Sequence, residues 1–429
     1  MERLSVSNFL SIKEISIEIA PITIVIGPQA SGKSVLAKLA YFFRSIFTDE
    51  LRQLIAAEKT INDLNEALRD KFVRNFPTYG WRDLGFKILY ENDNVSISIQ
   101  NGQKGETLEI EISENLKSLI SSTIDRYRKQ VESLAVEDPE AATGNAPSIK
   151  LQLLSHSYTT LRLSMPDFFR SPIFIPASRS IYHIVQPNVF SLIGMKADFD
   201  HIFIKFAAIY EGTKKRYAAP RVPPRLPSEP SPRVYLEKIK QVRRSILCGD
   251  YLNENDQDWI QDSASRRKTL LANASSGQQE ALPMLAVLSD YAFSPRIVYY
   301  IEEPEAHLFP TTQRLIVSLI GLLHKGRGQR FFLTTHSPYI LTAFNILLAT
   351  WNALSKKPKR KRKVPTFIDE STAIPFDDIA AYSLKDGEVT DILDRSARLI
   401  GSSVIDGVSD EFEQLFENIL LWGDGEELS

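Results

Sequence analysis

The sequence predicts an α/β fold, because runs typical of buried strands alternate with segments of helical periodicity. Ile22–Ile26 is a β-branched run of the kind found in buried strands, and the apolar residues from Ser34 to Phe47 recur at helical spacing. The same alternation returns after residue 270, where Ile297–Ile301 and Arg330–Thr334 are the strand-like runs. We therefore expect an α/β core formed by the two ends of the chain.

A mostly helical insertion is expected between these two ends. We place the N-terminal part of the core at residues 1–112, the insertion at 113–265 and the C-terminal part at 266–429, with one core strand near 172–179 inside the insertion. Apolar residues from Leu116 to Leu134 recur at steps of three or four, as in an amphipathic helix. This helix either packs on its own domain or forms a short hairpin that binds a partner or a second copy.

The composition is that of an ordinary globular protein. The 429 residues are 43% hydrophobic and 24% charged, and the formal net charge of −2 excludes a surface that binds nucleic acid throughout. A single cysteine, Cys248, excludes an internal disulfide framework and fits a reducing compartment. No apolar run approaches the roughly 20 residues that span a bilayer, so we expect a cytoplasmic protein without membrane contact.

A glycine-rich loop follows the first buried strand and precedes the first amphipathic helix. It fits G-x-x-x-x-G-K-[ST] at every fixed position and consists of Gly27, Pro28, Gln29, Ala30, Ser31, Gly32, Lys33 and Ser34. In this setting the backbone N–H groups and the helix N-terminus offer positive potential to a triphosphate. We expect Lys33 to reach the β- and γ-phosphates and Ser34 to ligate Mg²⁺, with ATP as the nucleotide.

Two further candidate groups follow strand-like runs, at the edge where parallel strands bind ligands. Glu302 and Glu303 follow the run at 297–301, and we assign Glu302 to the Mg²⁺ ion and Glu303 to polarising the attacking water. His336 follows the run at 330–334, where it would sense a γ-phosphate. A solvated acidic turn and a structural histidine are the alternatives, and the phosphate loop upstream favours the functional interpretation.

A second anion-binding surface is predicted at Ser275, Ser276, Gly277 and Gln278. Either serine can cap the helix that follows, and a glycine beside a capped helix N-terminus suits an anion. A plain N-cap is the alternative, although it explains a serine and not the whole Ser-Ser-Gly-Gln-Gln string. One ATP cannot use both surfaces of one subunit if they lie apart, so two subunits packed head-to-tail would complete each other's sites.

Together these motifs resemble the ABC-type ATPase superfamily. The resemblance rests on the Asn8-Phe9 segment, the phosphate loop, the Ser275–Gln279 string, the run from Glu302 to Leu308 and the run from Thr335 to Pro338, which follow the family's order. It is closest to the AAA group that contains RecF, Rad50, the chromosome-maintenance (SMC) proteins and the OLD-family ATPases, and Glu-Glu-Pro-Glu-Ala-His-Leu points to OLD-like members. The resemblance implies a P-loop fold of ABC-ATPase type, with a mixed sheet flanked by helices.

The resemblance also implies how the site works. ATP would be hydrolysed between two heads, where Ser276 and Gly277 of one subunit contact the γ-phosphate held by Lys33 of the other. Residues 306–308 would lie along the dimer seam. Three departures suggest slow or partner-dependent turnover: Gln278 stands where a second signature glycine is usual, Glu302 stands where Asp is usual, and no segment matches the family's glutamine loop.

The resemblance further implies a biological role. OLD nucleases carry a Toprim domain after the ATPase, but only 93 residues follow His336, so we expect a separate polypeptide to supply any nuclease or toxin activity. Such ATPases occur in two-gene bacterial anti-phage systems, and control of a partner effector is our first hypothesis. A RecF- or SMC-like DNA-repair or DNA-binding clamp is the alternative. A nucleotide-locked scaffold with negligible hydrolysis is the third.

Two basic segments bear on the choice of partner. Lys356–Lys363 carries seven positive charges in eight residues, and it is either a solvated loop, a contact for nucleic-acid phosphates or a dock for an acidic partner. The Pro-rich segment Lys214–Arg233 is a second candidate patch. The expected partners are thus a second copy in a head-to-tail dimer or higher homo-oligomer, an effector protein and, through these segments, nucleic acid.

Overall fold

A computed structural model gives the fold of the chain. It describes residues 2–401 except for 94, 102–107, 138–146, 166–167, 183–184, 186–198, 215, 218–230, 255–256, 295 and 357–368. Within these ranges no helix is both long enough and apolar enough to cross a membrane.

The main sheet has eleven strands in the part of the chain that the structure describes. In spatial order they are β6 (Leu108–Ile112), β5 (Val95–Asn101), β4 (Lys87–Asn92), β1 (Glu2–Phe9), β2 (Ile12–Glu18), β14 (Glu388–Asp391), β13 (Ile379–Lys385), β3 (Ile22–Ile26), β12 (Arg330–Thr335), β11 (Ile297–Glu302) and β7 (Ser171–Ile175). The run from β13 to β7 is parallel throughout, whereas the run from β6 to β2 is antiparallel. The sheet is therefore mixed, as predicted.

Ten α-helices lie within the described residues, together with two small sheets. The helices are α1 (Lys33–Ser45), α2 (Leu51–Ala56), α3 (Ile61–Asn75), α4 (Glu114–Glu137), α5 (Pro147–Ser164), α6 (His201–Lys214), α7 (Pro232–Leu247), α8 (Ser276–Asp290), α9 (Pro310–Arg327) and α10 (Pro338–Ser355). One small sheet contains β8 (Gly249–Glu254), β9 (Gln257–Asp262) and β10 (Lys268–Leu270), and the other pairs β15 (Leu393–Asp394) with β16 (Leu399–Ile400).

Helices cover both faces of the main sheet, because its parallel strands are apolar on both sides. All five residues of β3 are buried; Val25 faces one core, while Ile24 and Ile26 face the other. The first core contains α1 to α5, and the second contains α7 to α10 and most of α6. The expected arrangement of a mixed sheet flanked by helices is confirmed.

Helix α4 packs on its own chain, the first of the two alternatives considered for its apolar stripe. Leu116, Ile120, Ile124 and Tyr127 are all buried in the first core. The helix also packs against α5. These four residues of its apolar side are therefore covered within the subunit.

The helical pattern from about Asp49 to Phe72 predicts one helix, but the structure divides it. Helix α2 ends at Ala56, and α3 begins after Thr60, whose hydroxyl accepts from the backbone N–H of Asp63. The Asp63 carboxylate accepts from the Thr60 N–H at 2.7 Å, which completes a capping box. Apolar spacing continues across the break, so periodicity alone does not reveal it.

A buried ion pair joins β1 to α1, and its loss should destabilise the fold. Arg44 donates to both carboxylate oxygens of Glu2, and Tyr90 donates to the same carboxylate. We expect Arg44→Met to lower the free energy of unfolding by about 3–5 kcal/mol, because the buried Glu2 would lose both hydrogen bonds from Arg44 and keep only the more distant Arg330, 3.6 Å away, as a cationic neighbour. Urea unfolding measures this change. The exposed pair Arg3–Glu18 gives the control Arg3→Met, for which we expect less than about 1 kcal/mol; equal losses in the two variants would contradict the prediction.

Candidate functional site

Four loops meet at one edge of the main sheet. They follow β3, β12, β11 and β7, which are parallel neighbours, so their carboxyl ends lie side by side. Gly27–Ser34 follows β3, His336 follows β12, and Glu302 and Glu303 lie at the end of β11. The loop after β7, Pro176–Ser180, completes this edge.

The phosphate loop turns tightly between β3 and α1. Gly32 is the N-cap of α1 with φ of 101°, a conformation that side chains rarely adopt. A Cβ atom on Gly27 would lie 2.1 Å from the backbone oxygen of Leu384, so the strand β13 leaves room only for glycine. The residues between the two glycines are Pro28, Gln29, Ala30 and Ser31, of which the first three are exposed and the last is buried. The first turn of α1 presents backbone N–H groups that have no intrahelical acceptor, the arrangement that binds phosphate.

The Lys33 ammonium lies within this turn. It donates to the backbone oxygens of Gly27 and Pro28 at 2.8 and 2.7 Å, and it lies 3.3 Å from Nδ1 of His336. Burial lowers the pKa of Lys33, while the carboxylates of Glu303 and Glu305 oppose that shift. The backbone of the phosphate loop and the ring of His336 therefore hold Lys33 at the crevice.

The Glu302 carboxylate is buried beside Ser34. Its Oε2 accepts from the backbone N–H of Ala177 at 3.2 Å, and its Oε1 has no hydrogen-bond partner among the described residues. Burial raises the pKa of Glu302, and the Ser34 hydroxyl, the Lys38 ammonium and the Ala177 amide act in the opposite direction. The structure thus places the two predicted Mg²⁺ ligands next to each other.

Glu303 and His336 form the outer part of the crevice. Nε2 of His336 lies 3.3 Å from Oε1 of Glu303. Because an ammonium group only donates, Nδ1 of His336 accepts from Lys33, and the ring proton lies on Nε2 facing the Glu303 carboxylate. Glu303 has φ of +44°, and its N–H bonds to the backbone oxygen of Thr334 at 2.8 Å. A non-glycine residue in this conformation is held by its surroundings, as is common at functional sites.

The predicted second anion surface is the capped N-terminus of α8. The Ser275 hydroxyl accepts from the Gln278 N–H, and the Gln278 side chain accepts from the Ser275 N–H and donates to Leu247. Ser275 and Ser276 are exposed, and a Cβ atom on Gly277 would lie 2.8 Å from the backbone oxygen of His307. Within the described residues, no hydrogen bond joins this cap to the phosphate loop of its own chain. The role of these four residues in nucleotide binding therefore stays a prediction.

Two residues of the crevice have no predicted role. Glu305 accepts from the Thr335 hydroxyl and from the His336 N–H through one oxygen, at 2.6 and 2.8 Å. Arg179 is fully buried behind the acidic pair and donates to the backbone oxygens of Glu302 and Glu303. The sequence could have predicted that Arg179 lies at this edge, because Arg179 follows a buried strand, as the acidic pair and His336 do.

The two basic segments are only partly within the described residues. Of Lys356–Lys363, only Lys356 is described, and it is exposed. In the second segment Lys214 is buried with Nζ 2.8 Å from Asp258, and Arg216 forms a two-bond pair with Asp290. Arg233 lines a groove of about 840 Å³. Two of the second segment's described cations are thus already paired with carboxylates, which a linear count of charges does not reveal.

Comparison with known proteins adds the family. The model of the family described as "AAA domain, putative AbiEii toxin, Type IV TA system" matches residues 22–342. The chain belongs to this AAA family. The matched span runs from β3 and the phosphate loop through His336, so it includes every residue of the crevice. No curated protein matches the sequence.

Solved structures similar to this AAA protein include heads of SMC proteins. The SMC head domain from Thermotoga maritima is 12% identical, with a TM-score of 0.36, over 91% of this chain and 97% of that one. The Smc head domain with an extended coiled coil, bound to the C-terminal domain of ScpA and derived from Pyrococcus furiosus, is 13% identical, with a TM-score of 0.37, over 96% and 100%. The Smc head domain with a coiled coil and joint from Pyrococcus yayanosii is 12% identical, with a TM-score of 0.39, over 95% and 100%.

Proposed function

We propose that this chain is an ABC-type ATPase that binds ATP with Mg²⁺ in the crevice and hydrolyses it. The observation that carries the proposal is the series of contacts from Lys33 through His336 to Glu303. Lys33 and His336 are 303 positions apart in sequence, yet they meet beside the acidic pair. A cation for the phosphates and a carboxylate that positions the attacking water are groups that phosphoryl transfer needs in one place, and His336 contacts both of them.

Ser34 and Glu302 would hold the Mg²⁺ ion. The two side chains adjoin, and one oxygen of the buried Glu302 carboxylate has no hydrogen-bond partner among the described residues. Two protein oxygens are sufficient, because Mg²⁺ at nucleotide sites keeps several waters and takes further oxygens from the phosphates. When bound, the ion neutralises charge on the β- and γ-phosphates.

Glu303 would polarise the attacking water. Its carboxylate contacts Nε2 of His336, whose Nδ1 contacts Lys33, and in this proposal it faces the far side of the terminal phosphate. His336 contacts both the phosphate-binding lysine and this carboxylate, and it would orient Glu303 once the phosphate is held. Glu305 holds the backbone N–H of His336 at the end of β12.

A second copy of the chain would complete each site. Ser275 and Ser276 are exposed at the N-terminus of α8, where backbone N–H groups attract an anion. In a head-to-tail dimer, this cap would contact the γ-phosphate held by Lys33 of the other subunit. The backbone at His307 packs against Gly277, so residues 306–308 would lie at the same seam.

Control of a separate effector is the biological role that we propose. The family description names a toxin and a Type IV TA system, which supports a two-protein arrangement. The motif from Glu302 to Leu308 supports an OLD-like ATPase without a Toprim domain, whose ATP-dependent dimer restrains or releases a nuclease or toxin in anti-phage defence. We also propose the division into 1–112, 113–265 and 266–429 as the organisation of its ATPase core and insertion.

Complementation between two inactive variants tests the shared site. We expect Lys33→Ala and Ser276→Arg each to abolish phosphate release, because one loses the phosphate cation and the other covers the cap that would contact the γ-phosphate. In a mixture of differently tagged copies, the heterodimer has one intact site, with Lys33 from one chain and Ser276 from the other. Measurable phosphate release should therefore return in the purified heterodimer. Release by Ser276→Arg alone, or none from the heterodimer, would contradict the shared site.

A DNA-binding clamp is the second candidate function. The groove beside α7 is lined by six cations and two carboxylates. The cations are Arg233, Lys238, Lys240, Arg243, Arg244 and Arg266, and of these Lys238, Lys240 and Arg244 form ion pairs with Asp369, Glu237 and Asp250. A cationic groove of this kind suits a phosphate backbone and binds it in a salt-dependent way. Salt-sensitive, ATP-dependent binding of duplex DNA by the wild-type dimer would favour this candidate over effector control.

A further inference from the structure

The loop after β7 connects the acidic pair to the capped end of α8 through one side chain. The Arg179 guanidinium is fully buried. Its Nη1 and Nη2 donate to the backbone oxygens of Glu302 and Glu303 at 2.9 and 3.0 Å, and its Nε donates to the backbone oxygen of Glu280 at 2.9 Å. A planar guanidinium with five fixed donors can hold these two backbone segments in one geometry, which a lysine cannot do.

Glu280 strengthens the connection on the side of α8. Its carboxylate is buried, with Oε2 3.5 Å from Nε of Arg179, and its Oε1 accepts from the Ser180 hydroxyl. Glu280 lies four positions after Ser276 in α8, so the two residues share one face of the helix a single turn apart. A displacement of the exposed cap therefore also displaces Glu280, one helical turn later, and through Glu280 it displaces Arg179.

On the other side, Arg179 holds a strained residue. Glu303 has φ of +44° and is fixed through its backbone by Thr334, Ala306 and Arg179. Removing one of three restraints from a residue in an unfavourable conformation allows it to relax, and a displacement of about 1 Å in a catalytic group costs about 10²-fold in rate. Among the residues that the structure describes, Arg179 has no hydrogen bond to the phosphate loop, so ATP affinity should not depend on it directly.

We propose that Arg179 is a positioning residue that couples the two composite sites of the dimer. This inference rests on the proposed head-to-tail dimer. In that dimer the cap of one subunit contacts the nucleotide bound by the other subunit, while Glu303 of the first subunit acts on the nucleotide that the first subunit binds. Arg179 joins these two elements within one subunit. Occupancy sensed at one site thereby sets the carboxylate geometry at the other.

The complementing heterodimer allows a direct test. Its single working site takes Lys33 and Glu303 from the Ser276→Arg chain and the cap from the Lys33→Ala chain. We expect Arg179→Lys to lower the turnover number by about tenfold to a hundredfold when placed in either chain, with ATP affinity of the Ser276→Arg chain unchanged. A loss confined to one of the two placements would overturn the coupling. Absence of release in the unmodified heterodimer would instead count against the shared site itself.

Glu280→Gln provides a second variant if Arg179→Lys does not fold. It preserves the shape of the side chain and removes the charge that faces Arg179. Placed in the Ser276→Arg chain, whose own cap is already blocked, it should still lower turnover, because the effect reaches Glu303 through Arg179. Wild-type turnover in that placement would overturn the coupling. Circular dichroism melting of each chain separates these effects from a loss of fold.

Discussion

Lys33→Ala is expected to abolish tight ATP binding while leaving the chain folded. The Lys33 ammonium is held between the backbone oxygens of Gly27 and Pro28, at the start of α1. From this position it would donate to two phosphates, and each such charge-assisted bond contributes about 1.5–3 kcal/mol. We therefore expect affinity to fall by about 10²-fold or more.

Calorimetric titration with a non-hydrolysable ATP analogue and Mg²⁺ measures this loss. Lys87→Ala is the matched control, because Lys87 is an exposed lysine on β4, in the antiparallel part of the sheet. The control should bind as the wild type does. If Lys33→Ala keeps wild-type affinity, the phosphates are not held by this loop, and the crevice is wrongly assigned.

Glu303→Gln is expected to stop turnover without loss of ATP binding. The amide keeps the shape and the contact with His336 but cannot accept a proton from water, which removes general-base assistance worth about 10²- to 10⁴-fold. The Glu303 backbone, held by Thr334 and Arg179, should not move. Because nucleotide would be bound but not consumed, the head-to-tail dimer should accumulate with ATP.

Phosphate release and sedimentation with and without ATP check this prediction together. Glu109→Gln, an exposed carboxylate on β6, is the control for the loss of one charge. Unchanged phosphate release in Glu303→Gln would mean that hydrolysis does not pass through this carboxylate, and zero release in the wild type would favour a nucleotide-locked scaffold. Loss of ATP binding in Glu303→Gln would assign the residue to affinity rather than chemistry.

Much of the crevice can be predicted because its motifs are local. Gly27, Gly32 and Lys33 lie within seven residues, and a phosphate loop needs those residue types at that spacing between a strand and a helix. The acidic pair and His336 each follow a buried strand, so the rule for parallel sheets places them at one edge. The contact between Lys33 and His336 follows once β3 and β12 are neighbours.

Other features depend on contacts that no local pattern contains. Lys214 counts toward a basic patch in the sequence, but folding buries it against Asp258. The helical pattern after Asp49 continues through a break that the Thr60 cap creates. In both cases a residue's environment is set by another segment or by a side-chain hydrogen bond, and apolar spacing carries neither kind of information.

The sequence by itself determined the α/β class, the phosphate loop, the acidic pair and the capped end of α8, because each depends on residue types at short, fixed spacing. Only the tertiary structure decided that β7 lies beside β11, so that Arg179 reaches both the acidic pair and Glu280. The reason is physical: a local motif depends only on residues that are close in sequence, whereas contacts between distant segments depend on strand order and register.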